Sequence, residues 1–236
     1  MSSELAALMS ATFHEAGHAH LVELVHQKDR AARRHLARLR LDAYDAAGRH
    51  CLGTDVDPRQ EILDLRALVD EASRAHGRLL IVFDARYDPH IFPYRPHHYA
   101  YLHRPESASP PLYYAVNATL GGVPDRIGAV AINNFETYLF LDRPLTERYA
   151  VVVGNLSRFA DADAEIVTYY GTTRHTEELR LPPKAHAEAV LAPERDGQRL
   201  RRVELKALFR LTSYVVGRRQ DSGELVLFDH LFTYFK

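Results

Sequence analysis

Short runs rich in Val, Leu, Phe and Tyr recur along the chain, each closed by Pro, Gly, Asn or Asp. "GRLLIVFDARY" (77–87), "HYAYLH" (98–103), "ETYLFLD" (136–142), "YAVVVGN" (149–155), "RVELKALFRLTSYVVGR" (202–218) and "LVLFDHLFTYF" (225–235) are the clearest. Branched and aromatic side chains in runs this short fit a pleated, half-buried surface, so they predict strands. Turn signals fall between them: "DAAG", "DPRQ", "YDPH", "RPES", "GGVPD", "LPPK" and "RQDSG". Helical patterning is confined to residues 2–10, to "DLRALVDEASRAH" (64–76) and to a stretch around 26–37. The expected class is mainly β, with few short helices.

An internal repeat sharpens this expectation. "RLRLDAYDAAGR" (38–49) and "AEIVTYYGTTR" (164–174) share a pattern that pairs Tyr44 with Tyr169 and Arg49 with Arg174, 125 residues apart. A second set, Asp88/Asp221, His97/His230, Tyr99/Phe232 and Tyr101/Tyr234, is spaced by 133, and an insertion of about eight residues in the second copy reconciles the two. The pattern predicts a tandem antiparallel β-sandwich: a first unit over 1–104, a connecting segment over 105–131 and a second unit over 132–236.

Composition narrows the function classes. A chain of 236 residues with net charge −1 carries no general basic excess, which disfavours nucleic-acid binding. No stretch is apolar for the length of a membrane span, and the first residues lack a secretory pattern, so the expectation is a cytoplasmic chain with no membrane segment. The single Cys51 excludes an intrachain disulfide and an all-cysteine metal cluster; it reads as a buried small residue rather than a nucleophile. The Arg-rich stretch 30–40 is flanked by acids and reads as a solvated face.

The most specific chemical spelling is "TFHEAGHAHLVEL" (12–24), which holds His14, Glu15 and His18 in H-E-x-x-H order. On a helix, two imidazoles one turn apart can share a zinc ion while the Glu activates its water. "HEAGHA" resembles the zinc motif of AAA-type peptidases, and the resemblance implies His14 and His18 as ligands, Glu15 as base and a distant acid such as Asp55, Asp57 or Asp64 as third ligand. The chain has neither the ATPase module nor the membrane segment of that family, and eleven of its fourteen His precede residue 104. Chance alone spells the motif in roughly one such chain in twenty. The repeat places "HAHLVELVHQ" opposite "YAVVVGNLSR", so His18 and His20 are expected on a strand with His14 at its entrance. Along a strand His14 and His18 stand about 13 Å apart, too far for one zinc. The expectation is therefore no metal and no cofactor, with a zinc-dependent hydrolase as the alternative.

The other candidate is 93–141, which is rich in Tyr, His and amides. Tyr99, Tyr101, Asn117, Arg126 and Asn134 are its candidate binding residues: aromatic walls supply area, and amides with a guanidinium fix orientation. His97, His98 and His103 lack an identifiable third metal ligand. In the second half, "VVVGNLSRFADADAEIVTYYG" (151–171), "LRLPPKAHAEAVL" (179–191) and "SYVVGRRQDSGEL" (213–225) follow one another in an order that resembles the sensory rhodopsin transducer family of small soluble β-sandwich proteins. That resemblance implies a sandwich that forms oligomers and binds a partner or small ligand without catalysing. The functional expectation is a non-enzymatic binding or interaction protein, its protein or small-molecule ligand unnamed, able to form a homo-oligomer through edge strands or its tyrosine-rich face.

Overall fold

The computed structural model describes residues 6–24, 36–57, 59–87, 98–107, 109–119, 134–140 and 146–233. Strand dominates, in four antiparallel sheets, and one helix occurs among the described residues. The chain divides into two compact units, Met1–Gly122 and Val123–Lys236.

The first unit holds β1 (Ala6–His14), β2 (Ala19–Glu23), β3 (Leu36–Tyr44), β4 (His50–Val56), β5 (Ile62–Asp64), helix α1 (Leu65–His76), β6 (Leu79–Tyr87), β7 (Tyr99–His103), β8 (Leu112–Ala115) and β9 (Asn117–Thr119). One sheet runs β4-β3-β6-β1-β9 and the other β5-β2-β7-β8. Alternation along β3 shows why these residues pair as strands: Leu39, Leu41 and Ala43 are fully buried, while Arg40, Asp42 and Tyr44 face the other way. Asp64 caps α1 by accepting the amides of Arg66 and Ala67, and Gly77, at φ 81°, ends it. The buried stripe of α1 is Leu65, Val69, Asp70 and Ser73, so an acid stands among its apolar positions.

The second unit holds β10 (Asn134–Leu139), β11 (Glu147–Gly154), β12 (Ala162–Tyr170), β13 (Thr173–Leu181), β14 (His186–Leu191), β15 (Glu194–Arg195), β16 (Gln198–Ala207), β17 (Thr212–Arg219), β18 (Leu225–His230) and β19 (Phe232–Thr233). Its sheets run β13-β12-β16-β10-β19, with β15 added on β16, and β14-β11-β17-β18. Val151, Val153 and Val215 of one sheet share a core with Ile166, Val203 and Leu205 of the other. Within that core the buried Glu136 accepts a hydrogen bond from Ser213 Oγ, and the Arg210 guanidinium lies 3.9 Å away.

The two units have the same strand order. Setting β1–β5 against β10–β14 and β6–β9 against β16–β19 turns each sheet of the first unit into a sheet of the second, with α1 standing where the second unit has β15. Tyr44 on β3 and Tyr169 on β12 occupy corresponding strands. Of the second set of pairings, spaced by 133, Tyr99 with Phe232 is the one whose two residues are both described, and it does not follow this order, since β7 corresponds to β17 and Phe232 lies on β19. Tyr101 lies on β7, whose counterpart β17 ends at Arg219, and Tyr234 lies outside the described residues. Strands β8 and β9 fall in the segment that sequence alone treats as a connection, and both pair into sheets of the first unit.

The helix expected at 64–76 forms. The one expected at 2–10 does not: Ala6–His14 is a strand laddered between β6 and β9, and tertiary pairing overrides the local preference of its Ala, Leu and Met for helix. Of the helical stretch around 26–37, residues 25–35 lie outside the described residues, and Leu36 and Ala37 open β3.

Candidate functional site: a tyrosine-faced sheet over a buried histidine network

The H-E-x-x-H spelling wraps a turn between two sheets. His14 closes β1, Glu15–Gly17 turn with Gly17 at φ 85°, His18 precedes β2, and His20 lies on it. His14 and His18 therefore lack the helical spacing that a zinc peptidase needs. Glu15 is held by Arg78, whose Nη2 and Nε stand 2.6 and 2.8 Å from its Oε1. Asp55 pairs with Arg38, Asp57 lies beside Arg59, and Asp64 caps the helix, so each nominated third ligand has another task.

The turn instead brings together His14 and His20. Their Nδ1 atoms are 3.2 Å apart and their rings stack, and both residues are fully buried. His14 Nε2 lies 3.5 Å from Asp70 Oδ1 on α1, and His20 Nε2 lies 2.7 Å from the Tyr114 hydroxyl on β8. That hydroxyl is also 2.7 Å from Thr12 Oγ1. Asp70 further accepts the Gly17 amide at 2.9 Å and pairs with Arg74 at 2.5 Å.

One proton order satisfies this set with neutral rings. The Asp70 carboxylate only accepts, so His14 carries its proton on Nε2 and offers Nδ1 as acceptor. His20 then donates from Nδ1 and accepts at Nε2, Tyr114 donates to His20, and Thr12 donates to Tyr114. The 3.5 Å separation is too long for a strong hydrogen bond, so Asp70 selects the His14 tautomer mainly by its charge. Burial lowers the pKa of both imidazoles: in His14 it outweighs the opposing pull of Asp70, and in His20 the two neighbouring His rings add to it and carry the value well down.

His20 and Tyr114 face inward from the four-stranded sheet, and the outer face of the same strands carries a tyrosine ladder. Leu21 pairs with Tyr101, and Tyr101 pairs with Tyr113, which sets them side by side on one face. Tyr99 stacks on Tyr113 at 5.4 Å between centroids, and Tyr101 meets Tyr113 at 4.8 Å. Tyr101 is 47% exposed, Tyr113 53%, Leu21 39% and Ile62 55%. Partial burial first, then the negative charge of Glu23 and the neighbouring Tyr101 and Tyr99 hydroxyls, raise the Tyr113 hydroxyl above its ordinary value.

Of the five binding residues expected from sequence, Tyr99 and Tyr101 thus share this face. Asn117 lies on β9 and Asn134 opens β10 in the second unit; the side chains of both, and the whole of Arg126, lie outside what is described. Of the three His in the same stretch, His98 is buried edge-on to Phe83, His103 closes β7, and His97 lies outside the described residues. Sequence reasoning passes over Leu21, Ile62 and Tyr113 because only register across four strands makes them neighbours. Asp70 had a local signal, an acid at a position that α1 buries.

The second unit has a groove of about 850 Å³ over β10, β12, β13 and β16. Lys206 and Arg180 are balanced there by Asp163, Glu165 and Glu178, with Phe135, Leu179 and Leu208 between them, so its charge selects no ligand class. No helix among the described residues is long and apolar enough to cross a membrane. Compared with known proteins, the chain matches no family model, and no curated protein matches it.

Proposed function

We propose that this protein acts by binding rather than by catalysis, and that the outer face of β2, β7 and β8 associates with a second copy of the chain. The observation that carries this reading is the ladder of Tyr99, Tyr101 and Tyr113, continued by Leu21 and Ile62, on a solvent-facing sheet. Contiguous exposed apolar surface marks an interaction site, and tyrosine supplies a large, stiff ring whose hydroxyl tolerates water at the rim. A face made of Tyr, Leu and Ile is complementary to itself, as a two-fold contact requires.

The buried histidines fit a structural part in this reading. The two Nδ1 atoms meet each other, His20 Nε2 meets Tyr114, His14 Nε2 faces the Asp70 carboxylate at 3.5 Å without a hydrogen bond, and neither ring reaches solvent, so they hold the inner side of the sheet whose outer side binds. The element order over 151–225 that resembles the sensory rhodopsin transducer family implies oligomers as well.

Sedimentation velocity over a wide concentration range tests the proposal. The wild-type chain is expected to shift from monomer to dimer. Tyr101→Asp or Tyr113→Asp should abolish the shift, while Phe159→Asp, at a residue 71% exposed in the second unit, should leave it in place. A wild type that stays monomeric throughout, or dimers that survive both tyrosine substitutions, would contradict it.

A further inference from the structure

Away from the tyrosine face, three metal-binding side chain types converge from separate elements. Asp45 follows β3, Cys51 is the second residue of β4, and His76 is the last residue of α1; one donor atom from each lies within 4.8 Å of the other two. From these residues we infer a zinc site formed by Asp45, Cys51 and His76.

The local backbone is shaped for this. Ala43 pairs with Leu52 and Tyr44 with His50, so Cys51 is the extra residue of a β-bulge, a device that re-aims a side chain out of strand alternation. The Asp45 carboxylate is fixed by the turn it begins: its Oδ1 accepts the amides of Ala47 and Arg49 at 3.0 and 2.9 Å. Its Oδ2 accepts Arg49 Nε at 2.6 Å, from a side chain 77% exposed that can swing away without disturbing the fold. The helix stops at Gly77, which leaves the His76 ring exposed at the end of α1.

The donor set suits Zn²⁺ better than the hard cations. Thiolate, imidazole and carboxylate bind it at about 2.3, 2.0 and 2.0 Å, which places donors about 3.5 Å apart around a tetrahedral ion. The three groups need to close by about 1 Å, within the reach of an exposed His and a half-exposed Cys. In the chain the Cys51 thiol donates to the Arg49 carbonyl at 3.4 Å, and burial with the nearby Asp45 charge keeps it protonated. On binding, the S–H proton passes to solvent and the sulfur lone pair forms the S–Zn bond. Thiolate and carboxylate then balance the two charges of the ion, and water takes the fourth position.

Titrating the full-length protein with Co²⁺, and then displacing it with Zn²⁺, tests the site. One equivalent of Co²⁺ is expected to bind and to give a thiolate-to-cobalt charge-transfer band in the near ultraviolet. Cys51→Ser, a near-isosteric change at a half-exposed position, should remove the band. His76→Ala should weaken binding by at least about tenfold, and His18→Ala should leave it unchanged. Absence of the band in the wild type, its persistence in Cys51→Ser, or undiminished affinity in His76→Ala would each overturn the assignment.

Discussion

His14 and His20 meet through their Nδ1 atoms at 3.2 Å, in the interior of the first unit, because a four-residue connection, Glu15 to His18, folds β1 of one sheet over onto β2 of the other. A second proton on His14 would occupy the Nδ1 that accepts from His20, and one on His20 would occupy the Nε2 that accepts from Tyr114, so each ring keeps its place in the network only while it is neutral.

Acid should therefore destabilise the protein before its carboxylates titrate. Both rings hold protons less readily in the folded chain than at the ordinary value of 6.5, so below that value the unfolded chain binds more protons and is favoured. The contribution is fully present above pH ~6.5 and is lost as pH falls from there toward the lowered folded values, at up to ~1.4 kcal/mol per pH unit for each ring. His18, Glu15, Asp70 and Arg74 surround the pair; the Asp70 carboxylate is held below its ordinary value and enters only at lower pH. Thermal unfolding should show a flat midpoint above pH 7 and a falling one between pH 6.5 and 5. A midpoint unchanged over that span would contradict neutral rings.

Tyr114→Phe should cost about 1–3 kcal/mol in denaturant unfolding, since it leaves the buried Thr12 hydroxyl and His20 Nε2 without their partner. The ring's packing is kept, so a loss well under 1 kcal/mol would mean that the chain of hydrogen bonds contributes little.

What was legible in the sequence follows the length over which each signal acts. The branched and aromatic run of 77–87 and the helical patterning of 64–76 are local signals, and they form β6 and α1 as expected. The pairing of Tyr44 with Tyr169 agrees with the strand order, whereas Tyr99 with Phe232 does not, because β7 corresponds to β17 and not to β19. His14, Glu15 and His18 spelled a helical motif that Gly17, at φ 85°, turns into a bend. The partner that His14 does meet, His20, lies two residues beyond the motif, and Asp70 and Tyr114 join them only through packing. Tyr113 and Leu21 became part of the Tyr101 face through cross-strand register, which no local pattern encodes.

Association of two copies through the tyrosine face should strengthen with salt. Glu23 and Asp64 border the ladder on each copy, so like charges approach as the faces meet, and screening removes that repulsion while leaving apolar contact intact. Sedimentation equilibrium at about 0.05 and 0.5 M NaCl, where the Debye length shortens from roughly 14 to 4 Å, should give the tighter dimer at the higher salt. A weaker dimer there would point to oppositely charged groups across the contact.

The location of the contact is read most directly by hydroxyl-radical footprinting of dilute and concentrated protein, with mass spectrometry to assign each oxidised residue. Leu21, Tyr101 and Tyr113 are open enough in the single chain to be modified, as are Phe159 and Leu208 in the second unit. On concentration, protection should fall on Leu21, Tyr101 and Tyr113, with Phe159 and Leu208 unchanged. Protection confined to the second unit, or modification of Tyr101 and Tyr113 that is the same at both concentrations, would contradict a binding role for the tyrosine-faced sheet.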